Sequence, residues 1–300
     1  MRLILGSRGS KLALWQAHWI KSQLEAQGHE TEIRVIRTSG DKLATASLAQ
    51  SGTKGLFVKE IEEALLEGSV DLAVHSLKDL PVDQPERLCV AAVPPREDAR
   101  DALIARDGQK LMDLPSGARV GTSSLRRRSQ LLGLRTDFEI VPVRGNVDTR
   151  LRKLDAGEYD ALVMAAAGAH RLGFARRITE YFSPCQMCPA AGQGALAVEI
   201  RCGDERVAQT VNSLDDQNTH LAIRAERAVL RRLGGGCQTP IAAYATIEGD
   251  CITIIGVVAD PDGTRIIRGS ARGEKNDPEA TGARLAQDLL NQGAKAILRG

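Results

Sequence analysis

The stretch Arg2-Leu3-Ile4-Leu5-Gly6-Ser7-Arg8-Gly9-Ser10 decides the fold class. Its apolar run over 3–6 has the length of a buried strand, and small polar residues follow at once. Leu12, Trp15, Trp19, Ile20 and Leu24 then spread helically over 11–27, with Gly28 as the stop, and 31–37 alternates as a strand. Strand, helix and strand in immediate succession open an α/β sheet.

Residues 38–55 are rich in Gly, Ser, Thr and Lys and lack apolar periodicity, which predicts a functional loop. A helix is expected from Phe57 to Leu66 and a buried strand from Val70 to His75. Pro94-Pro95 and the charged residues 96–100 mark a boundary, after which the rhythm restarts. Strands are expected near 118–121, 138–143 and 160–165, with helices from about 124 and over 146–156. The apolar run 195–200 can return to the first sheet as an added strand. From about 217 the character changes to a helix over 219–233, alternating runs at 241–247 and 251–259, an Asp260-Pro261-Asp262-Gly263 turn, a strand from Arg265 to Gly269 and a last helix from Pro278 to about 292. The domains expected are 1–94 with 195–214, then 98–190, then a small α+β domain over 217–300. No repeat at solenoid periods and no low-complexity tract interrupts this order.

The 300 residues include 40 Lys+Arg against 38 Asp+Glu, a net charge of +2, with 3% aromatics. So balanced a chain with so few stacking rings is not expected to bind nucleic acid. No uncharged apolar run approaches the roughly 18 residues that span a bilayer, and the N-terminus has no secretory h-region. The six cysteines are sparse in a chain long enough to need no staples, so reduced thiols and a cytoplasmic location are expected. Cys185-Gln186-Met187-Cys188 has metal or redox spacing, but no second pair completes a zinc set, and no metal is expected.

Three strand ends carry the chemistry. Thr122-Ser123-Ser124-Leu125-Arg126-Arg127-Arg128 puts hydroxyls and guanidinium groups where a helix N-terminus offers backbone N–H donors, and Arg suits carboxylates because its planar fork meets both oxygens. Val143-Arg144-Gly145-Asn146-Val147-Asp148-Thr149-Arg150 repeats the combination, and Arg8 occupies the matching place after the first strand. Ligands of open α/β sheets bind beyond the carboxyl ends of strands, so these turns are expected to hold a polycarboxylate. Asp79, in His75-Ser76-Leu77-Lys78-Asp79-Leu80-Pro81, is a lone acid among these cations, suited to a developing positive charge or a proton; its plain alternative is a turn cap paired with Lys78. His75 reads as a satisfied strand-end residue. Gly234-Gly235-Gly236-Cys237 presents a thiol on a turn without side-chain bulk, either as a reactive group or as an inert neighbour of a helix stop.

Taken in order, Ser7-Arg8-Gly9-Ser10, Leu14-Trp15-Gln16-Ala17, Lys54-Gly55-Leu56-Phe57-Val58-Lys59-Glu60, His75-Ser76-Leu77-Lys78-Asp79, Gly121-Thr122-Ser123-Ser124-Leu125-Arg126-Arg127, Arg144-Gly145-Asn146 and Gly235-Gly236-Cys237-Gln238 closely resemble the porphobilinogen deaminase (hydroxymethylbilane synthase) family over essentially the whole chain. The resemblance implies a transferase of tetrapyrrole (haem, porphyrin) biosynthesis that joins four porphobilinogen molecules head to tail with release of ammonia. It implies two lobes like those of periplasmic binding proteins plus a small third domain, and a dipyrromethane cofactor bound through a thioether to Cys237. It further implies Asp79 as the catalytic carboxylate. Arg8, Ser10, Lys78, Arg126, Arg127, Arg144, Arg150 and Arg171 are implied contacts of cofactor or growing polypyrrole, with Ser124 and Gln193 beside them. Lys54 belongs to the loop expected to cover the cleft. Gln50 stands where some members have lysine, and the family gives no role to Cys185 and Cys188. A monomer is expected.

Two other classes make different demands. A two-lobed polycarboxylate-binding protein would explain the arginines but not Gly-Gly-Gly-Cys. A cysteine hydrolase would need a histidine base near Cys237, for which His75 and His220 are the available candidates.

Overall fold

The computed structural model describes residues 1–39, 58–234 and 240–299. The chain divides into two compact units: residues 1–96 with 195–220, and residues 97–194 with 221–300.

The first unit opens with strand β1 (Arg2–Ser7), helix α1 (Lys11–Ala26) and strand β2 (Glu30–Val35), followed by α2 (Lys59–Leu66), β3 (Leu72–Ser76), a single 3-10 turn (Leu77–Asp79) and β4 (Leu88–Ala92). α1 is capped by Ser10, whose Oγ accepts from the Ala13 N–H at 3.3 Å, and it buries Ala17, Ile20 and Leu24 against the sheet. β1 pairs in parallel with β2 and β3, with Leu3 opposite Thr31 and Leu5 opposite Leu72.

The second unit begins with β5 (Asp101–Ala105), β6 (Arg119–Gly121), α3 (Leu125–Leu134), β7 (Glu139–Val141), α4 (Val147–Asp155), β8 (Ala161–Ala165), α5 (Ala166–Arg171) and β9 (Glu180–Tyr181). Its sheet order is β7-β6-β8-β5-β9, with β6 parallel to β7 and β8, and β5 antiparallel to β8 and β9. The chain then returns to the first unit with β10 (Leu196–Arg201) and α6 (Glu205–Val211). β10 enters between β3 and β4, antiparallel to both, so the order there is β2-β1-β3-β10-β4. The two sheets are thus built alike, three parallel strands and then an antiparallel one, but the antiparallel strand comes last in one and first in the other.

α7 (Gln217–Leu233) starts in the first unit and continues from Leu221 in the second, which is completed by the antiparallel strands β11 (Ile241–Glu248), β12 (Cys251–Ala259) and β13 (Ile266–Glu274), then α8 (Pro278–Asn291) and α9 (Ala294–Arg299). β13 runs well past the expected Gly269. Gly256 and Gly269 face each other across β12 and β13, and a Cβ on either would lie 3.1–3.2 Å from Leu285 and Leu289 of α8. Residues that are poor strand formers are kept there because the helix packs directly over them. The Asp260–Gly263 turn forms as expected and lies against α3, where Arg128 donates to Pro261 O (3.1 Å) and Asp262 Oδ1 (2.9 Å).

Six elements went unread: β4, β5, α5, β9, α6 and α9. β5 is buried at every position, so it shows no alternation, only a short apolar run after the charged boundary.

Candidate functional site

In the first unit, Arg8 leaves the end of β1, and Asp79 ends the turn that follows β3. Arg8, Ser10, Gln16, His75, Ser76 and Asp79 line one pocket over an apolar floor that includes Val58 and Val74. Gln16 is buried and donates from Nε2 to Ser76 Oγ (2.8 Å), which fixes the pocket wall. Asp79 is exposed, and among the described residues no hydrogen bond or ion pair occupies its carboxylate. The Lys78 pairing that would have made it a plain turn cap is therefore not formed; Lys78 sits half-buried in the same turn. His75 is a satisfied buried residue: its Nε2 lies 3.0 Å from Oε2 of Glu199, whose Oε1 accepts from Gln84 Nε2 (2.8 Å). His220 is held by Asp215 at 2.8 Å.

In the second unit, Ser124 caps α3, its Oγ accepting from the Arg127 N–H (3.4 Å). Ser123 stitches the two neighbouring strand ends together, its Oγ donating to Val143 O (2.7 Å) and accepting from Val143 N–H (2.9 Å). Arg126 and Arg127 start the helix, but they turn inward, 6% and 7% exposed, onto Asp101, the first residue of β5. Arg126 Nη1 donates to Asp101 Oδ2 (2.6 Å) and Cys188 O (2.7 Å), and Nη2 to Asp101 Oδ1 (3.1 Å) and Gln193 Oε1 (3.4 Å). Arg127 donates from Nε to Asp101 Oδ1 (2.8 Å) and from Nη2 to Gln193 Oε1 (3.3 Å). Burial alone would raise the Asp101 pKa, but the charges of Arg126 and Arg127 hold it well below the usual carboxylate range.

Around this core stand further cations. Arg150 donates from Nε to Gly145 O (2.8 Å), and burial together with the like charge of Arg127 lowers its pKa. Arg171 donates from Nη2 to Gly194 O (2.7 Å), and burial brings its pKa down to about 10 against the opposing charge of Glu97. Arg144 is exposed at the end of the same turn. A group of guanidinium ions that disfavour their own charge is a site where an anion is stabilising.

Sequence reasoning missed three buried acids: Asp101, Glu199 and Glu226. Glu226 accepts from the N–H groups of Gly192 (2.7 Å) and Ala245 (2.9 Å) and so anchors the Gly192-Gln193-Gly194 loop. For Asp101 and Glu199 the available signal was a single acid heading or inside an apolar run, which a fold tolerates only with partners; Glu226, in Arg224-Ala225-Glu226-Arg227, gave no such signal. Cys188 is buried and its thiol pushed up to about 12 by burial, whereas Cys185 is exposed; no cluster of metal ligands occurs among the described residues. Cys237, Lys54 and Gln50 lie outside the described residues.

These features define an α/β protein with cationic side chains at its strand ends. Residues 3–209 match the family model described as porphobilinogen deaminase, dipyromethane cofactor binding domain, and residues 220–291 match the porphobilinogen deaminase C-terminal domain. The porphobilinogen deaminase of Syntrophotalea carbinolica is 51% identical over 298 residues, 99% of this chain and 95% of its own. That of a Roseiflexus species is 51% identical over 300 residues, 99% of each chain. A TRAP periplasmic solute binding protein from Desulfovibrio salexigens superposes with a TM-score of 0.41 at 14% identity, covering 72% of each chain. The chain belongs to the porphobilinogen deaminase family. It is a transferase that condenses porphobilinogen in tetrapyrrole biosynthesis, and it carries that family's dipyrromethane-binding domain. No helix among the described residues is long and apolar enough to cross a membrane.

Proposed function

We propose that four porphobilinogen molecules are joined head to tail on this chain, each with loss of ammonia, and that the product leaves as hydroxymethylbilane. The observation that carries the residue-level reading is the gathering of guanidinium groups in the second unit, where Arg126 and Arg127 are buried on Asp101 and burial disfavours the charge of the half-buried Arg150 and Arg171. Each pyrrole of a dipyrromethane bears an acetate and a propionate, and guanidinium forks match such groups in charge and in geometry. The donor set therefore fits the group.

In this reading Cys237 anchors the dipyrromethane by a thioether, and Ser124, Arg126, Arg127, Arg144, Arg150, Arg171 and Gln193 hold carboxylates. When bound, the dipyrromethane supplies the pyrrole carbon on which condensation begins. Arg8, Ser10 and Lys78 orient the acid groups of incoming porphobilinogen, and the same cations serve the polypyrrole as its carboxylates accumulate. Asp79 is exposed and, among the described residues, unengaged, so its charge is available to offset the cation that develops as ammonia leaves, an interaction stronger in the transition state than in the ground state. Residues 1–94 with 195–214, 98–190 and 217–300 act as three domains of a cytoplasmic monomer.

The test is the intact mass of the native protein and its peptide map. An excess of two linked pyrrole units on the peptide holding Cys237 is expected; finding it on Cys185 or Cys188, or finding full activity without it, would refute the assignment.

A further inference from the structure

Asp101 belongs to none of the motifs that point to the family, yet three of the proposed carboxylate-holding side chains converge on it. An ionised carboxylate with 0% exposure is stable only when paired and hydrogen-bonded. Asp101 is fully supplied: Oδ2 accepts from Arg126 Nη1 at 2.6 Å, and Oδ1 accepts from Arg126 Nη2 (3.1 Å), Arg127 Nε (2.8 Å) and Gln193 Nε2 (3.0 Å). Gln193 closes the cluster, its Oε1 accepting from both arginines while Nε2 also donates to Ala99 O (2.7 Å).

We infer that Asp101 is a positioning residue of cofactor loading: it fixes the Arg126 and Arg127 guanidinium groups and the Gln193 amide in the arrangement that receives the carboxylates of dipyrromethane. This rests on the functional reading above. Two cations against one anion leave the cluster with one positive charge, so Asp101 suppresses the mutual repulsion that would splay the arginines without cancelling their attraction for a ligand. Donors fixed in advance need not be ordered when the ligand arrives. Removing the acid thus has two opposed effects. The cluster gains net positive charge, which would speed capture of an anion, and it loses its geometry, which would slow it. With four hydrogen bonds meeting on one carboxylate, geometry is the larger loss.

The full chain and its Asp101→Asn variant, each expressed without porphobilinogen, are given preformed hydroxymethylbilane, and the covalent gain in mass is followed by intact mass spectrometry alongside the melting temperature. The folded variant is expected to load roughly 30-fold more slowly, the equivalent of about 2 kcal/mol. A lower melting temperature with wild-type loading means that Asp101 only supports the fold, and faster loading means that it only competes for the arginines; either overturns the inference. Asp101→Glu, which keeps the charge and displaces it by one methylene, covers the case in which Asn does not fold: slow loading supports the inference and wild-type loading overturns it. If the unsubstituted chain gains no mass the functional reading itself fails, whereas loading by the unsubstituted chain with equal loading by the variants removes Asp101 alone.

Discussion

Gly194→Ala is the substitution that most directly connects backbone geometry to the arginine cluster. Gly194 has φ +88°, and a Cβ built on it lies 2.3 Å from Glu97 O. A non-glycine residue in the left-handed region costs about 1–2 kcal/mol. The contact adds more, because carbon and oxygen must separate by roughly 1 Å to reach van der Waals distance. The Glu97 peptide is poorly placed to yield: its N–H donates to Gly194 O (3.3 Å), and its Oε1 accepts from Asp98 N–H (2.9 Å) and lies 3.1 Å from His170 Nδ1. Overpacking against a fixed neighbour costs about 1–3 kcal/mol, so the sum is about 2–5 kcal/mol. Gly173 supplies the control, with φ +77° and nothing within 4 Å of its built Cβ, so Gly173→Ala should cost only the backbone contribution of about 1 kcal/mol. In urea denaturation the two variants should differ by the overpacking contribution, about 1–3 kcal/mol. Because Gly194 O accepts from Arg171, the Gly194 variant should also load cofactor poorly while the Gly173 variant loads normally. Two variants within about 0.5 kcal/mol of each other, a difference no larger than ordinary surface substitutions give, would show that the Glu97 carbonyl moves freely and that the reasoning is wrong.

Cys237→Ser should leave the purified chain without the two-pyrrole mass and without turnover, as read by intact mass and ammonia release. Asp79→Asn, nearly isosteric, should keep fold and attached cofactor but lose on the order of 10²–10³ in single-turnover ammonia release; near-normal release would reduce Asp79 to a turn residue. Arg126→Leu leaves the buried Asp101 with Arg127 as its remaining cation and should cost about 3–5 kcal/mol in urea denaturation as well as impairing loading. Alkylation of the native protein at pH 8 should label Cys185 and spare Cys188, whose thiol is buried and pushed up to about 12; labelling of both would mean that the Cys188 segment opens readily.

The apolar run over 3–6 and the helical spread of Leu12, Trp15, Trp19, Ile20 and Leu24 made the opening β-α-β unit legible, and Leu3, Leu5, Ile20 and Leu24 are indeed buried together. The arginines at strand ends were legible because small residues between a strand and a helix mark where donors collect. Their partner was not. Arg126 and Arg127 are expected to contact a ligand, and the structure pairs them with an acid 25 and 26 residues away in the chain, a pairing that no local pattern encodes. Glu199, opposite a histidine 124 residues distant, was hidden inside an apolar run for the same reason. β13 was cut short because Gly269, Ser270 and Gly273 look unlike a strand, and the purpose of the two glycines appears only once α8 is packed over them.

The entry of β10 between β3 and β4 also sets an order of events during synthesis. β5 to β9 lie wholly within residues 101–181, so that sheet has all its strands before the chain emerging from the ribosome reaches Leu196. The earlier-made strands must wait. The facing edges of β3 and β4, with Leu72, Ala73 and Val74 on one side, stay unpaired while the residues between 92 and 201 are added, on the order of 5–20 s at ordinary elongation rates. For that interval the nascent chain carries an open apolar edge of the kind that recruits other strands. A ribosome stalled just short of residue 196 would hold it in its most aggregation-prone form.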